Sequence, residues 1–326
     1  MHFQALSVGI RVPTHHFNGT VHSVFRQACN LWLESGTLLT LLSSQKGNLP
    51  HGIRLDTSSH SVFLHVLRVG QPVACRGRIL RIGGPDFSVD LRPAFPWHID
   101  LKGLRIDLCR PTRTQSWAVA WSELKMHCHK HGMSENLGAL LLSEGRLAMS
   151  AVSKILLQQS ASAIPLLLQA TCRLRLREAI ISMRSLIGLG YGLTPSGDDF
   201  LVGYLAGLWC TAGANPSRMR FLLALGSELS EASRNTNEIS GAYLRSAAKG
   251  HVSEPIAKLA QQLSQTNSMS SVRAVTQSAL QVGHTSGSDG VLGMLLGCLA
   301  WQSLPLHLIF NDLLRLPVLC DSTTQP

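Results

Sequence analysis

The feature that most constrains this chain is a motif that occurs twice. Ser196-Gly197-Asp198-Asp199-Phe200-Leu201-Val202-Gly203, with Gly207 four residues on, matches Ser286-Gly287-Ser288-Asp289-Gly290-Val291-Leu292-Gly293, with Gly297 four residues on. Both read S-G-x-D-x-[LV]-x-G-x-x-x-G without a gap. Ordered agreement of this kind within one chain predicts two equivalent structural units.

Each copy reads as a glycine-containing loop running into an apolar helix. Ser or Thr caps such a start, and Pro195 stiffens one of them. The spacings Gly203/Gly207 and Gly293/Gly297 predict two helices that pack closely, with both Asp-bearing ends turned to one cleft. Free N–H groups and the helix dipole at a helix N-terminus attract anions. The turns at Ser196-Gly197 and Ser286-Gly287 are therefore expected to hold phosphate or carboxylate oxygens, the glycines leaving room for the ligand. Asp199 and Asp289 are expected to orient an amide or, with Asp198, to hold Mg²⁺ through oxygen ligands. Thr194, Thr285 and Ser240 supply hydroxyls, Thr236 shares a helix face with Ser240, and His284 is a candidate acid or base. A plainer reading stands beside this one. Asp in a first turn stabilises the helix dipole by ~0.3–1 kcal/mol, and Thr236 is itself a helix cap.

Around the duplication the chain divides in two. Residues 1–112 read as a β-rich domain, with short strands at Thr37–Leu42, Val62–Leu67 and Ala74–Leu80 and a helix near Val24–Leu33. Residues 113–326 read as mostly helical. Helical periodicity covers Trp117–Lys130, Leu137–Gln159, Ile164–Leu186, Phe200–Thr211, Met219–Ala232 and Val272–Val282, and the tail from Asp321 is polar. The expected class is α+β, a β-rich N-terminal domain followed by a helical one that carries the duplication.

Composition narrows the function classes. The net charge of +10 favours anionic partners, yet the basic residues are dispersed and lack the interleaved aromatics of single-strand binders, so nucleic acid is not expected. No apolar stretch reaches the ~18 residues of a membrane span. Eight cysteines without a CxxC pair, and no signal-like start, fit free thiols in the cytoplasm. His127, His129 and His131 alternate within a helical segment, which spreads them around the helix instead of gathering them as metal ligands. Gly188-Leu189-Gly190-Tyr191-Gly192 follows a helical segment and lacks the spacing of a dinucleotide loop.

The segments 190–203 and 283–293, with the stretch from Thr236 to Gly250 between them, resemble a bacterial family that includes the AllH-type subunits associated with oxamate carbamoyltransferase. The resemblance is looser through Gly19–Val24 and the β-rich stretch after it. It implies a subunit of a multi-component enzyme of allantoin (purine nitrogen) catabolism. That enzyme interconverts oxalurate plus phosphate with oxamate plus carbamoyl phosphate, beside other subunits. The resemblance carries no catalytic residues, so the roles given to His284, Asp199 and Asp289, and to Thr194, Ser196, Gly197, Asp198, Thr236, Ser240, Thr285, Ser286 and Gly287 as substrate contacts, come from motif chemistry alone. Two other readings stay open: a non-catalytic scaffold or regulatory subunit of such a complex, and a stand-alone Mg²⁺-dependent hydrolase of a phosphorylated substrate.

Overall fold

The computed structural model describes residues 1–58, 62–131, 137, 151–265 and 268–301. The interior of the expected helix Leu137–Gln159, the side chain of His131, and the polar tail lie outside the described residues and side chains.

The first part is a closed β-barrel. Its strands are β1 (His2–Gly9), β2 (Phe17–Val24), β3 (Ala28–Leu33), β4 (Leu38–Leu42), β5 (Gly52–Leu55), β6 (Pro72–Arg76), β7 (Ile79–Ile82) and β8 (Phe87–Asp90). They are joined in the order β5-β4-β3-β2-β6-β7-β8-β1, and β1 closes the ring by pairing antiparallel with β5. A short β9 (Phe95–Trp97) adds along the end of β1. Closure removes the sheet edges, and every second residue fills the interior. Cys29, Leu31 and Leu33 of β3, Leu39 and Leu41 of β4, and Ile53 and Leu55 of β5 all enter this one core.

Two local expectations are corrected here. Val24–Leu33, expected to hold a helix, contains β3, because the buried residues recur at every second position, not every third or fourth. Val62–Leu67, expected as a strand, forms helix α1 (Val62–Val66). Val62, Phe63 and Leu67 sit at helical spacing on the barrel core, so burial geometry overrides the β-branched composition. The run Ala74–Leu80 is strand, but folded into a hairpin. Gly77 and Arg78 turn it at φ 58° and 61°, the left-handed pair that a two-residue hairpin requires.

The second part is helical: α2 (Pro111–His131), α3 (Ala151–Cys172), α4 (Leu176–Arg184), α5 (Ser196–Thr211), α6 (Pro216–Ala232), α7 (Glu238–Ala247), α8 (Glu254–Gln265), α9 (Met269–Leu280) and α10 (Ser286–Leu299). The segment Ile164–Leu186, expected as one helix, breaks between α3 and α4 where Leu174 adopts φ 56°. At the centre stand α5 and α10, buried on nearly every side. The other helices cover them, and the Trp117 Nε1–H of α2 donates to the Leu295 carbonyl of α10 at 3.0 Å. Among the described residues no helix is long and apolar enough to cross a membrane.

Barrel and helices meet along one seam. Leu38, on the outer face of β4, packs against Ile239 and Ala242 of α7. Glu254, at the start of α8, accepts from the Asn48 backbone N–H (2.7 Å) and side-chain amide (2.8 Å) in the β4–β5 loop. Asn48 in turn accepts from the Ser7 hydroxyl of β1.

Candidate functional site

The duplicated motif builds a matched pair of helices. Gly203 lies against residues 290–294 and Gly207 against 294–298, so α5 and α10 run parallel. A Cβ at Gly203 would overlap the Gly290 carbonyl, and one at Gly293 would overlap the Phe200 carbonyl. Gly207 and Gly297 meet Met294 and Tyr204 in the same way. No side chain separates the two backbones, and both Asp-bearing N-termini lie at the same end.

The first-turn glycines have a different purpose from the one expected. A Cβ at Gly197 would overlap the Leu186 carbonyl, and one at Gly287 the Ala279 carbonyl. The room they leave is taken by the chain itself. The N–H groups of these glycines and of the aspartates after them are taken as well. Gly197 donates to Leu189 at 2.8 Å and Gly287 to Val282 at 2.9 Å. Asp198 and Asp199 donate to the Pro195 carbonyl at 2.9 and 3.1 Å, and Asp289 to the Thr285 carbonyl at 3.1 Å. The glycine half of the expected anion cradle is therefore occupied by internal hydrogen bonds. A buried donor already paired with a carbonyl gains little from a ligand.

The three aspartates part company. Asp198, fully buried, accepts from the Thr236 hydroxyl (2.6 Å), the Ser240 hydroxyl (2.7 Å) and the Gly188 N–H (2.8 Å). Burial pushes its carboxyl up, and these three bonds pull the other way. Thr236 does not share a helix face with Ser240, because it stands in extended backbone before the Asn237 cap of α7, yet both hydroxyls close on Asp198. The cap of α7 is Asn237, which accepts from the Ser240 N–H at 3.0 Å. Asp289, also fully buried, accepts from the Leu137 N–H at 2.8 Å on the α2 side.

Asp199 faces a cleft. Its inner chamber, about 190 Å³, is lined by Thr194, Asp199 and Val202 from the first copy, by Ser286, Gly287 and Gly290 from the second, and by Tyr243 of α7. Asp199 Oδ2 is sealed from solvent and accepts no hydrogen bond from the described residues. Burial and the neighbouring Asp289 charge push the Asp199 carboxyl well above the usual carboxylate range, while hydrogen bonds from Ser286 and Thr194 pull it back. Those two hydroxyls are themselves 2.8 Å apart and tie one motif copy to the other. Tyr243 stands against Asp199, and burial, with that carboxylate beside it, pushes its phenol well above the usual range. Its ring also meets the buried His51 edge-on at 4.9 Å.

The structure thus gathers Thr194, Asp199, Ser286 and Gly287 at one chamber. Ser196 is buried at the start of α5, Thr285 is half-buried before α10, and His284 is exposed on the turn, outside the chamber lining. Among the described residues no three His, Cys, Asp or Glu side chains are placed to hold a metal, because Asp198, Asp199 and Asp289 face three different surroundings. Motif reading missed Tyr243, which lies inside the Thr236–Gly250 stretch but outside the repeat. It also missed the barrel's share of the cleft. An outer chamber of about 480 Å³ shares Leu49, Tyr243 and Ser253 with the inner one and is walled by residues of the β4–β5 region.

No solved structure gives a significant match to this chain. Residues 4–96, the barrel, match the AllH family N-terminal domain. Residues 186–298, from the loop before α5 to the end of the helix pair, match the family described as oxamate carbamoyltransferase subunit AllH. With its barrel and its duplicated helix pair both matched, this chain belongs to the AllH family.

Proposed function

We propose that this chain is a subunit of a carbamoyl-transferring enzyme that works with other subunits in the cytoplasm and binds a small carbamoyl-bearing anion in the cleft. The observation that carries the reading is Asp199 beside Thr194 and Ser286, where both motif copies line one chamber. The reaction is oxalurate plus phosphate to oxamate plus carbamoyl phosphate, or its reverse, in purine nitrogen catabolism. A phosphate oxygen forms a bond to the ureido carbonyl carbon. The bond from that carbon to the oxamate nitrogen breaks, and the nitrogen takes up the proton of hydrogen phosphate. The step passes through a tetrahedral oxyanion, so donors placed beforehand are the main requirement. The Thr194 and Ser286 hydroxyls would supply them. Asp199, kept toward its neutral form by burial and by Asp289, would donate to the oxyanion or orient the carbamoyl NH₂. Cys29, Cys75, Cys128, Cys210 and Cys298 are buried free thiols, which fits a reducing compartment.

The test is calorimetric titration with carbamoyl phosphate, with and without Mg²⁺, on the chain alone and in its assembled complex. Saturable binding that Asp199→Asn weakens at least about tenfold, with the fold intact, is expected. Undiminished binding and turnover in the assembled Asp199→Asn variant would sink the catalytic reading. A scaffold role is the second reading, favoured by the internal bonds that occupy the Gly197 and Gly287 N–H groups and Asp198. It predicts that every Asp199 variant that folds leaves assembled activity unchanged.

A further inference from the structure

The outer chamber of the cleft is cationic, and its charge comes largely from the barrel. Strand alternation sends Ile53 and Leu55 of β5 into the barrel core and leaves Arg54 on the outer face, where it lines the chamber beside Lys46 of the β4–β5 loop. Arg54 Nε is buried and has no hydrogen-bond partner among the described residues. A guanidinium N–H shut away from water without an acceptor is unfavourable, so this geometry is one that an arriving acceptor would relieve.

The carboxylates nearby do not fill that need. Glu254 lines the same chamber, but it is engaged by the Asn48 N–H at 2.7 Å, the Asn48 amide at 2.8 Å and Lys258 Nζ at 2.7 Å. Asp199 lines the inner chamber. Lys46 and Arg54 therefore stand as cations with no carboxylate partner among the described residues.

We infer that the barrel supplies the anion-recognition end of the cleft, with Arg54 as the specificity residue for a carboxylate or phosphate head and Lys46 assisting. A guanidinium fork matches two oxyanion oxygens at once, while the flexible Lys46 ammonium adds charge without fixing orientation. This deepens the proposed function. With the oxyanion on Arg54, the uncharged amide end of the same ligand points past Tyr243 toward Asp199. The cleft then selects small molecules with a charged head and a neutral amide end.

The experiment is titration of the full chain with inorganic phosphate, oxamate, its uncharged analogue oxamide, and carbamoyl phosphate, together with the ¹⁵Nε resonance of Arg54. Phosphate and oxamate are expected to bind and to shift that resonance, and oxamide to bind far more weakly. Arg54→Gln should weaken both anions about tenfold or more, Arg54→Lys by less, and Lys46→Ala by a few-fold. Lys46 is exposed on a loop, so its variant and Arg54→Lys decide the matter if Arg54→Gln does not fold. The inference is overturned if wild type binds no phosphate or oxamate at millimolar concentration, if the resonance does not move, or if the folded variants bind both anions as wild type does. Phosphate bound through Arg54 with no added affinity for carbamoyl phosphate would leave this inference standing and remove the carbamoyl reading.

Discussion

At the first motif copy, Gly197 lets the Leu186 carbonyl approach the start of α5, and at the second, Gly287 does the same for Ala279 at the start of α10. Gly203 and Gly293 each meet a carbonyl of the opposite helix. In backbone terms the copies are interchangeable. Their polar side chains are not. The first copy carries Asp198, closed on Thr236 and Ser240, and Asp199, facing the cleft. The second has Ser288 in the place of Asp198, bonded to the Thr285 carbonyl of its own turn at 2.7 Å, and Asp289 turned to Leu137. Duplication here preserved a packing solution, while the surroundings of each copy assigned different work to the same residue types.

The largest expected effect tests the shared part. Gly203→Val and Gly293→Val each force a side chain into a carbonyl and should each destabilise the fold by about 3 kcal/mol or more, measured by chemical denaturation. Losses that differ by more than ~1 kcal/mol would break the claim that the copies pack equivalently.

The next tests the divergence. Asp198→Ala strands the buried Ser240 hydroxyl, the half-buried Thr236 hydroxyl and the Gly188 N–H and should cost about 2–3 kcal/mol, whereas Ser288→Ala should cost about 1 kcal/mol. Equal losses would mean that the Asp198 knot is not the structural asset described above.

A third comparison uses pH. The folded state holds the Asp199 carboxyl above its ordinary value of 3.8, so the folded chain retains a proton that the unfolded chain releases. Stability from this group is complete below that ordinary value and is lost as pH rises through the higher folded one. Asp199→Asn should therefore match wild type at low pH and grow relatively more stable as pH rises. Asp289→Asn removes one cause of the shift, so it should bring the Asp199 titration down, read from its ¹³C carboxyl resonance. An unmoved titration would uncouple the two copies electrostatically.

The smallest effect concerns the bond that joins the copies. Ser286→Ala removes the 2.8 Å contact to Thr194 and should cost about 1 kcal/mol. Thr194→Val should cost a similar amount, and a double variant less than the sum, since both single changes remove the same bond.

Much of this was legible in the residues. The repeat and its glycine spacing predicted two helices in close contact with their aspartates at one end, and the helix pair has that form. The switch from short β-rich runs to helical periodicity predicted the α+β class. Thr194, Asp199 and Ser286 were named from the motif and meet at one chamber. What failed depended on who the neighbours are. Ser-Gly-x-Asp reads the same whether a ligand or the Leu186 carbonyl lies over the glycine. Thr236 and Ser240 stand four apart as on one helix face, but Thr236 precedes α7 and reaches Asp198 from extended backbone. Val62–Leu67 has strand composition and nevertheless packs as a helix over the barrel.

The sequence by itself determined local rules: where the helix pair needs glycine, where its two helices start, and that two segments share one design. Those follow from backbone sterics and periodic burial, which act over a few residues. Only the tertiary structure decided that Asp199 looks into a cleft while Asp289 does not. It also decided that Asp198 is spent inside the core, and that Arg54 of β5 stands across the seam from α8 and α9. Solvent access and electrostatic environment are set by residues far apart in the chain, and the same residue type meets different partners on each side of one helix pair.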